Sequence, residues 1–255
     1  MSKNANFRSA DLHKIVAQQK ALGKRLIWLL AIPFVITAIL AAMFISLNTR
    51  IADVEVAMKI VTIERYLLTD KNYRGAVDEY ETIARTYTSA PIFARLGLLY
   101  FQLDPKNNKE IAIQKLTSAK NVDPAYWETY RNLAFIYTSN EQAKGAIDAG
   151  KKALALNKND ANTYNNLAWV YATSKEPEFR NMVLAQEYAE KAVALTKDKQ
   201  PHFLDTLAQV HFEKGGESSQ AQALIYLRKA IAISPRPDRQ IFKARFTTLF
   251  PSEKP

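Results

Sequence analysis

Residues 161–174 read ANTYNNLAWVYATS, and residues 127–140, thirty-four positions earlier, read WETYRNLAFIYTSN. Tyr164 falls on Tyr130, Asn166 on Asn132, Leu167 on Leu133, Ala168 on Ala134 and Tyr171 on Tyr137, while Trp169 stands where Phe135 stood. Related segments occur on either side, FARLGLLYFQ at 93–102 and LDTLAQVHFE at 204–213. A second kind of segment alternates with the first: AVDEYETIARTY (76–87), AIQKLTSAKNVDP (112–124), AIDAGKKALALNK (146–158), AQEYAEKAVALTK (185–197) and ALIYLRKAIAISP (223–235). Their leading alanines lie 36, 34, 39 and 38 positions apart. A period of this size marks a solenoid of helical hairpins.

The side chains explain why the units must stack. Each first segment carries large apolar residues at i, i+3 and i+7: Phe93, Leu96 and Tyr100; Tyr130, Leu133 and Tyr137; Tyr164, Leu167 and Tyr171. At helical spacing these form one apolar stripe. Small residues lie beside the stripe, at Gly97, Ala134, Ala168 and Ala208. The second segments repeat alanine in pairs: 112 and 119, 146 and 153, 185 and 192, 223 and 230. Small residues let paired helices approach closely. No hairpin buries its stripe alone, so neighbours must cover it. Asp123-Pro124 and Ser234-Pro235 read as helix stops. The stretches DPKNNKE, SKEPEFRN and EKGGESS read as extra residues between paired helices.

This pattern resembles the tetratricopeptide repeat (TPR) family over roughly residues 58–235, with 127–160 the cleanest copy. The resemblance implies an all-α chain with about five repeats. The first, at 58–90, lacks the Leu-Gly pair and reads equally as a continuation of the helix before it. Residues 238–250, DRQIFKARFTTLF, put Ile241 or Phe242 on one face with Phe246, Leu249 and Phe250. That face suits a capping helix over the last hairpin. A membrane-touching helix displaying Arg239, Lys243 and Arg245 is the other reading.

Composition bounds the rest. The chain has 255 residues, a net charge of +10, 7 Gly and no Cys. Thiol catalysis, disulfides and cysteine-ligated metals are thereby excluded. Residues 1–50 hold seven Lys or Arg and one acid, Asp11, so the basic excess is N-terminal and nucleic acid is not the expected partner. Residues 26–47, LIWLLAIPFVITAILAAMFISL, carry no charge. That length suits a helix crossing ~30 Å of hydrocarbon. Lys3, Arg8, Lys14, Lys20, Lys24 and Arg25 precede the run, and only Arg50, Lys59 and Arg65 follow closely. The bias puts the N-terminus in the cytoplasm and the repeats outside it. The expected organisation is a cytoplasmic segment at 1–25, lying as a helix on anionic headgroups, a transmembrane helix at 26–47, the solenoid at 48–235 and a capping helix and tail at 236–255. The expected location is a bacterial inner membrane, single-pass, with periplasmic repeats.

In the TPR family, first helices line a concave groove, and the resemblance places Arg95, Leu98, Arg131, Asn132, Phe135, Asn165, Asn166, Trp169, Asp205 and Gln209 there. Asn offers one acceptor and two donors. A row of Asn suits the backbone of an extended peptide, with Phe135 and Trp169 as flat apolar contacts. The plain alternative is that these asparagines merely solvate a helix face. His13, His202 and His211 are the only histidines. His211 replaces the stripe tyrosine and reads as core. His202 and Asp205 lie three apart, but no nucleophile accompanies them and there is no Gly-rich phosphate loop. The expectation is therefore no enzyme activity, no cofactor, no metal and no small-molecule substrate. The expected role is a membrane-anchored scaffold that binds a partner protein or peptide, as assembly or chaperone-like accessory factors do. Alternatives are an accessory subunit of a membrane complex and a receptor with cytosolic repeats.

Overall fold

The computed structural model describes Thr37, residues 39–44, Ser46, residues 54–65, Leu67 and residues 70–254. By its internal contacts the chain divides into two units, 1–62 and 63–255. Within the first unit the described residues are helical, and Ile39, Leu40, Met43 and Phe44 are exposed. No helix among the described residues is long and apolar enough to cross a membrane. Most of the span expected at 26–47, and all of the headgroup helix expected at 1–25, lies outside the described residues.

The second unit is a run of helices: α1 (Tyr73–Thr86), α2 (Ala90–Leu103), α3 (Lys109–Val122), α4 (Trp127–Ser139), α5 (Ala143–Leu156), α6 (Ala161–Thr173), α7 (Met182–Leu195), α8 (Pro201–Lys214), α9 (Glu217–Ile233) and α10 (Arg236–Leu249). Side chains set several starts. Asn72, Ser89, Asp160 and Asn181 accept the orphan N–H of Gly75, Ile92, Thr163 and Leu184. α3 and α9 end one residue before Asp123 and Ser234, as the Pro-containing stops require.

Hairpins form between α2 and α3, α4 and α5, α6 and α7, and α8 and α9. Each first helix also touches the next first helix, in the series α2, α4, α6, α8. The second helices make no comparable contact with one another, so the first helices form the inner wall of the stack. The expected alanines sit at the contacts: Ala112, Ala119, Ala146, Ala153, Ala185, Ala192, Ala223 and Ala230 are all fully buried. So are Ala134, Ala168 and Ala208 on the first helices. Leu96 and Leu167 anchor the stripe, while most of its tyrosines are half-buried. Tyr100 donates to Glu81 at 2.9 Å.

Three details refine the sequence reading. The EKGGESS insert shrinks to Gly215 and Gly216, because α8 and α9 absorb its other residues. Both glycines have positive φ, 70° and 79°, which other residues rarely adopt. α10 buries Phe242 and Phe246 and leaves Ile241 exposed, so it caps the last hairpin through Phe242. His211 is buried and stacks on Tyr226 with ring centroids 5.5 Å apart, which makes it core.

Two stability measurements check this packing. A Cβ on Gly97 would lie 2.8 Å from Leu116 Cγ and 2.9 Å from the carbonyl oxygen of Ala112. Backbone cannot yield as a side-chain tip can, so overpacking outweighs the better helix propensity of alanine. Gly97→Ala is expected to lower unfolding stability by about 1–2 kcal/mol in urea titrations. His211 supplies a pH test. Burial pushes its imidazolium pKa down, Lys214 acts in the same direction and Glu190 opposes them. The neutral ring therefore contributes stability above the unfolded value of ~6.5, and this is lost as pH falls through the lower folded value. The Tm is expected to drop between pH 7 and pH 5, and His211→Tyr, which restores the stripe residue, to flatten that drop.

Candidate functional site

The inner wall encloses a groove of about 900 Å³. α2 contributes Leu98 and Gln102, α4 contributes Arg131, Asn132 and Phe135, α6 contributes Asn162, Asn165, Asn166 and Trp169, and α8 contributes His202, Phe203, Asp205 and Thr206. Four consecutive first helices thus share one surface. Of the residues expected in the groove, Leu98, Arg131, Asn132, Phe135, Asn165, Asn166, Trp169 and Asp205 are brought together there.

Arg95 stands apart from these. Its guanidinium grips Glu64, with Nε 2.6 Å from Oε1, and it lies outside the groove wall. Tyr80 donates to the same carboxylate at 2.7 Å. A similar arrangement occurs one helix further on, where Glu81 accepts from Tyr100 and pairs with Lys115 at 2.6 Å. Sequence spacing could not reveal this, because Glu64 lies thirty-one positions from Arg95.

The asparagines divide in role. Asn132 is buried, and its Nδ2 donates to the carbonyl of Ala94 on α2 at 3.2 Å. It joins neighbouring repeats, with one face left on the groove. Asn166 is half-buried and lines the groove. Asn165 Oδ1 is out of contact with solvent and has no hydrogen-bond donor among the described residues. Arg131 lies over the Trp127 ring, 4.9 Å from its centroid, and donates to Asn132 Oδ1 at 3.3 Å. Phe135 meets Phe101 edge-on at 5.7 Å and remains partly exposed.

The far end is polar and occupied. Arg245, from the capping helix, lies over the Trp169 ring at 4.9 Å. Its Nε is 2.7 Å from Asp205 Oδ1, and its Nη2 donates to Gln209 Oε1 at 2.7 Å. Gln209 in turn donates to Glu213, which pairs with Arg180 at 2.8 Å. Gln209 is therefore enclosed in this network rather than set on the groove wall. Burial raises the Asp205 pKa, and the Arg245 charge opposes that rise. His202, on the groove rim, packs against Phe242 at 5.0 Å, and Asp205 pairs with Arg245 instead of with it. Among the described residues no cluster of His, Asp and Glu could hold a metal ion.

Helical spacing would have added several wall residues. Gln102 lies four after Leu98, Asn162 four before Asn166, and Thr206 four after His202. Arg245 had no such signal, since it reaches the site across tertiary space from a different element.

No family model matches this sequence, and no curated protein matches it. Solved structures do share its fold. A thermophilic TPR protein of Thermus thermophilus, TTC0263, is 18% identical with a TM-score of 0.58, over 74% of this chain and 95% of that one. A chain of the APC/C hetero-tetramer Cut9–Hcn1 is 18% identical with a TM-score of 0.57, over 68% of this chain and 32% of that one. Pseudomonas aeruginosa PilF is 18% identical with a TM-score of 0.52, over 77% of this chain and 92% of that one. The fold of the second unit is a TPR-like α-solenoid.

The division of labour among the asparagines has a measurable consequence. Asn132→Ala removes the amide donor from the Ala94 carbonyl, which keeps its helical N–H, and is expected to cost about 0.5–1.5 kcal/mol of stability. Asn166→Ala, at the equivalent position, is expected to stay within about 0.5 kcal/mol in the same melts.

Proposed function

We propose that this chain is a membrane-anchored scaffold that holds an extended segment of a partner protein in the groove of α2, α4, α6 and α8. One observation carries the reading: four consecutive first helices build a single groove whose wall alternates amide side chains with the flat rings of Phe135 and Trp169. Amides satisfy the backbone of an extended chain without dictating its sequence, and the rings supply apolar contact. A volume of about 900 Å³ accommodates a short run of residues. The uncharged run at 26–47 and the cations before it support an inner-membrane anchor with periplasmic repeats. An assembly or chaperone-like accessory role fits a groove that reads backbone more than side chain.

The test is photo-crosslinking in membranes from Asn162 and Asn166, followed by identification of the captured chain. Phe135→Ala and Asn166→Ala are expected to reduce capture of that chain about tenfold or more, Asn166→Ala while melting like the parent and Phe135→Ala with a small loss of Tm from its contact with Phe101. Equal capture by the folded variants moves the binding site elsewhere. A reporter active only outside the cytoplasm, fused after Pro255, is expected to be active; a silent fusion supports the receptor with cytosolic repeats instead.

A further inference from the structure

The groove's α8 end is already filled by a side chain of the protein itself. Trp169 offers the negative face of an indole, Asp205 a carboxylate and Gln209 an amide oxygen, and all three converge on the Arg245 guanidinium. Such a set of acceptors around one point is what a cationic, planar group requires. Trp169 and Asp205 also line the groove, so this corner is continuous with the surface proposed to hold a partner. One helical turn before Trp169 stands Asn165, whose Oδ1 is buried and has no donor among the described residues.

We propose that Trp169 and Asp205, backed by the enclosed amide of Gln209, form a cation subsite at the edge of the groove, and that Arg245 occupies it as an internal competitor for an arginine side chain of the partner segment. The inference rests on the groove reading above and adds the chemistry of the partner: an extended segment bearing arginine. Only one side chain has to move. α10 is held by Phe242 and Phe246, which are 1% and 0% exposed, and by Phe250 against Phe212 at 5.6 Å. The helix therefore stays docked while the Arg245 stem swings towards solvent. Exchange of one guanidinium for another leaves the contacts of the corner unchanged. The tether then sets the balance, because an attached group competes at an effective concentration of mM or above. Arg245 thereby raises the threshold for binding and rejects segments without a matching cation.

The competitor role predicts a gain of binding when Arg245 is removed. The probe is a fluorescein-tagged, end-blocked nonapeptide of Gly and Ser with one central arginine; two controls carry glutamate or alanine there. Fluorescence anisotropy is read on the full chain in nanodiscs. Arg245→Ala and Arg245→Gln are expected to bind the arginine peptide roughly tenfold more tightly than the parent. Asp205→Asn in either background is expected to abolish the gain, and the two control peptides to show none. Arg245→Gln keeps a helix-favouring side chain, and both variants are melted in parallel, so loss of α10 packing is recognised. Unchanged affinity for the arginine peptide in a folded variant overturns the proposal. So does tight binding of the glutamate peptide by the parent with its loss in the variants, since Arg245 is then a receptor for an anion. Groove crosslinks without the peptide gain leave the scaffold reading standing and remove the subsite. The gain without groove crosslinks does the reverse.

Discussion

Close approach of helices through alanine and glycine is the constraint that governs this solenoid. The distance between packed helices is set by the side chains at the contact. With alanine at both ends of each second helix, fully buried, the leucines of the first helices can reach across and fill the remaining space. Gly150 shows how narrow the margin is: a Cβ there would meet Leu167 Cδ2 at 2.7 Å, across the boundary between repeats. Each hairpin leaves an apolar face that only its neighbour can cover, so stability belongs to the stack. The capping helix ends the series by placing Phe242, Phe246 and Phe250 where another hairpin would go.

Polar contacts then determine how the groove is furnished. The Glu64–Tyr80–Arg95 and Glu81–Tyr100–Lys115 clasps link the N-terminal helices, and the first keeps Arg95 off the groove wall. Asn132 does similar work between α2 and α4. At the other end, the chain Arg180–Glu213–Gln209–Arg245–Asp205 ties the 177–181 insert, α8 and α10 together. The ion pairs among these links are partly exposed and individually modest in energy. Their importance lies in direction: they aim particular groups at the groove or away from it.

The groove was legible in part. Equivalence of Asn132 with Asn166 and of Phe135 with Trp169 placed these residues on one surface, because stacked repeats put equivalent positions side by side. The same logic could not show the ion pair of Arg95, whose partner Glu64 lies in a repeat without the family's Leu-Gly pair. The membrane-touching alternative for 238–250 displayed Arg245 to the membrane, whereas that residue reaches across to Trp169 and Asp205.

Local pattern was enough for the helical period, the buried alanines, the capping helix and the core role of His211. Spacing at 3.6 residues per turn, side-chain size and helix stops are all properties of neighbours along the chain. Stacking of the hairpins was needed to settle which polar side chains face the groove free and which are spent on partners. Arg95, Asn132 and Arg245 have the same local credentials as any charged or amide residue on a helix. Their roles are set by Glu64, Ala94 and Trp169, far from them in sequence and brought within hydrogen-bond or ring-contact distance only when the repeats pack.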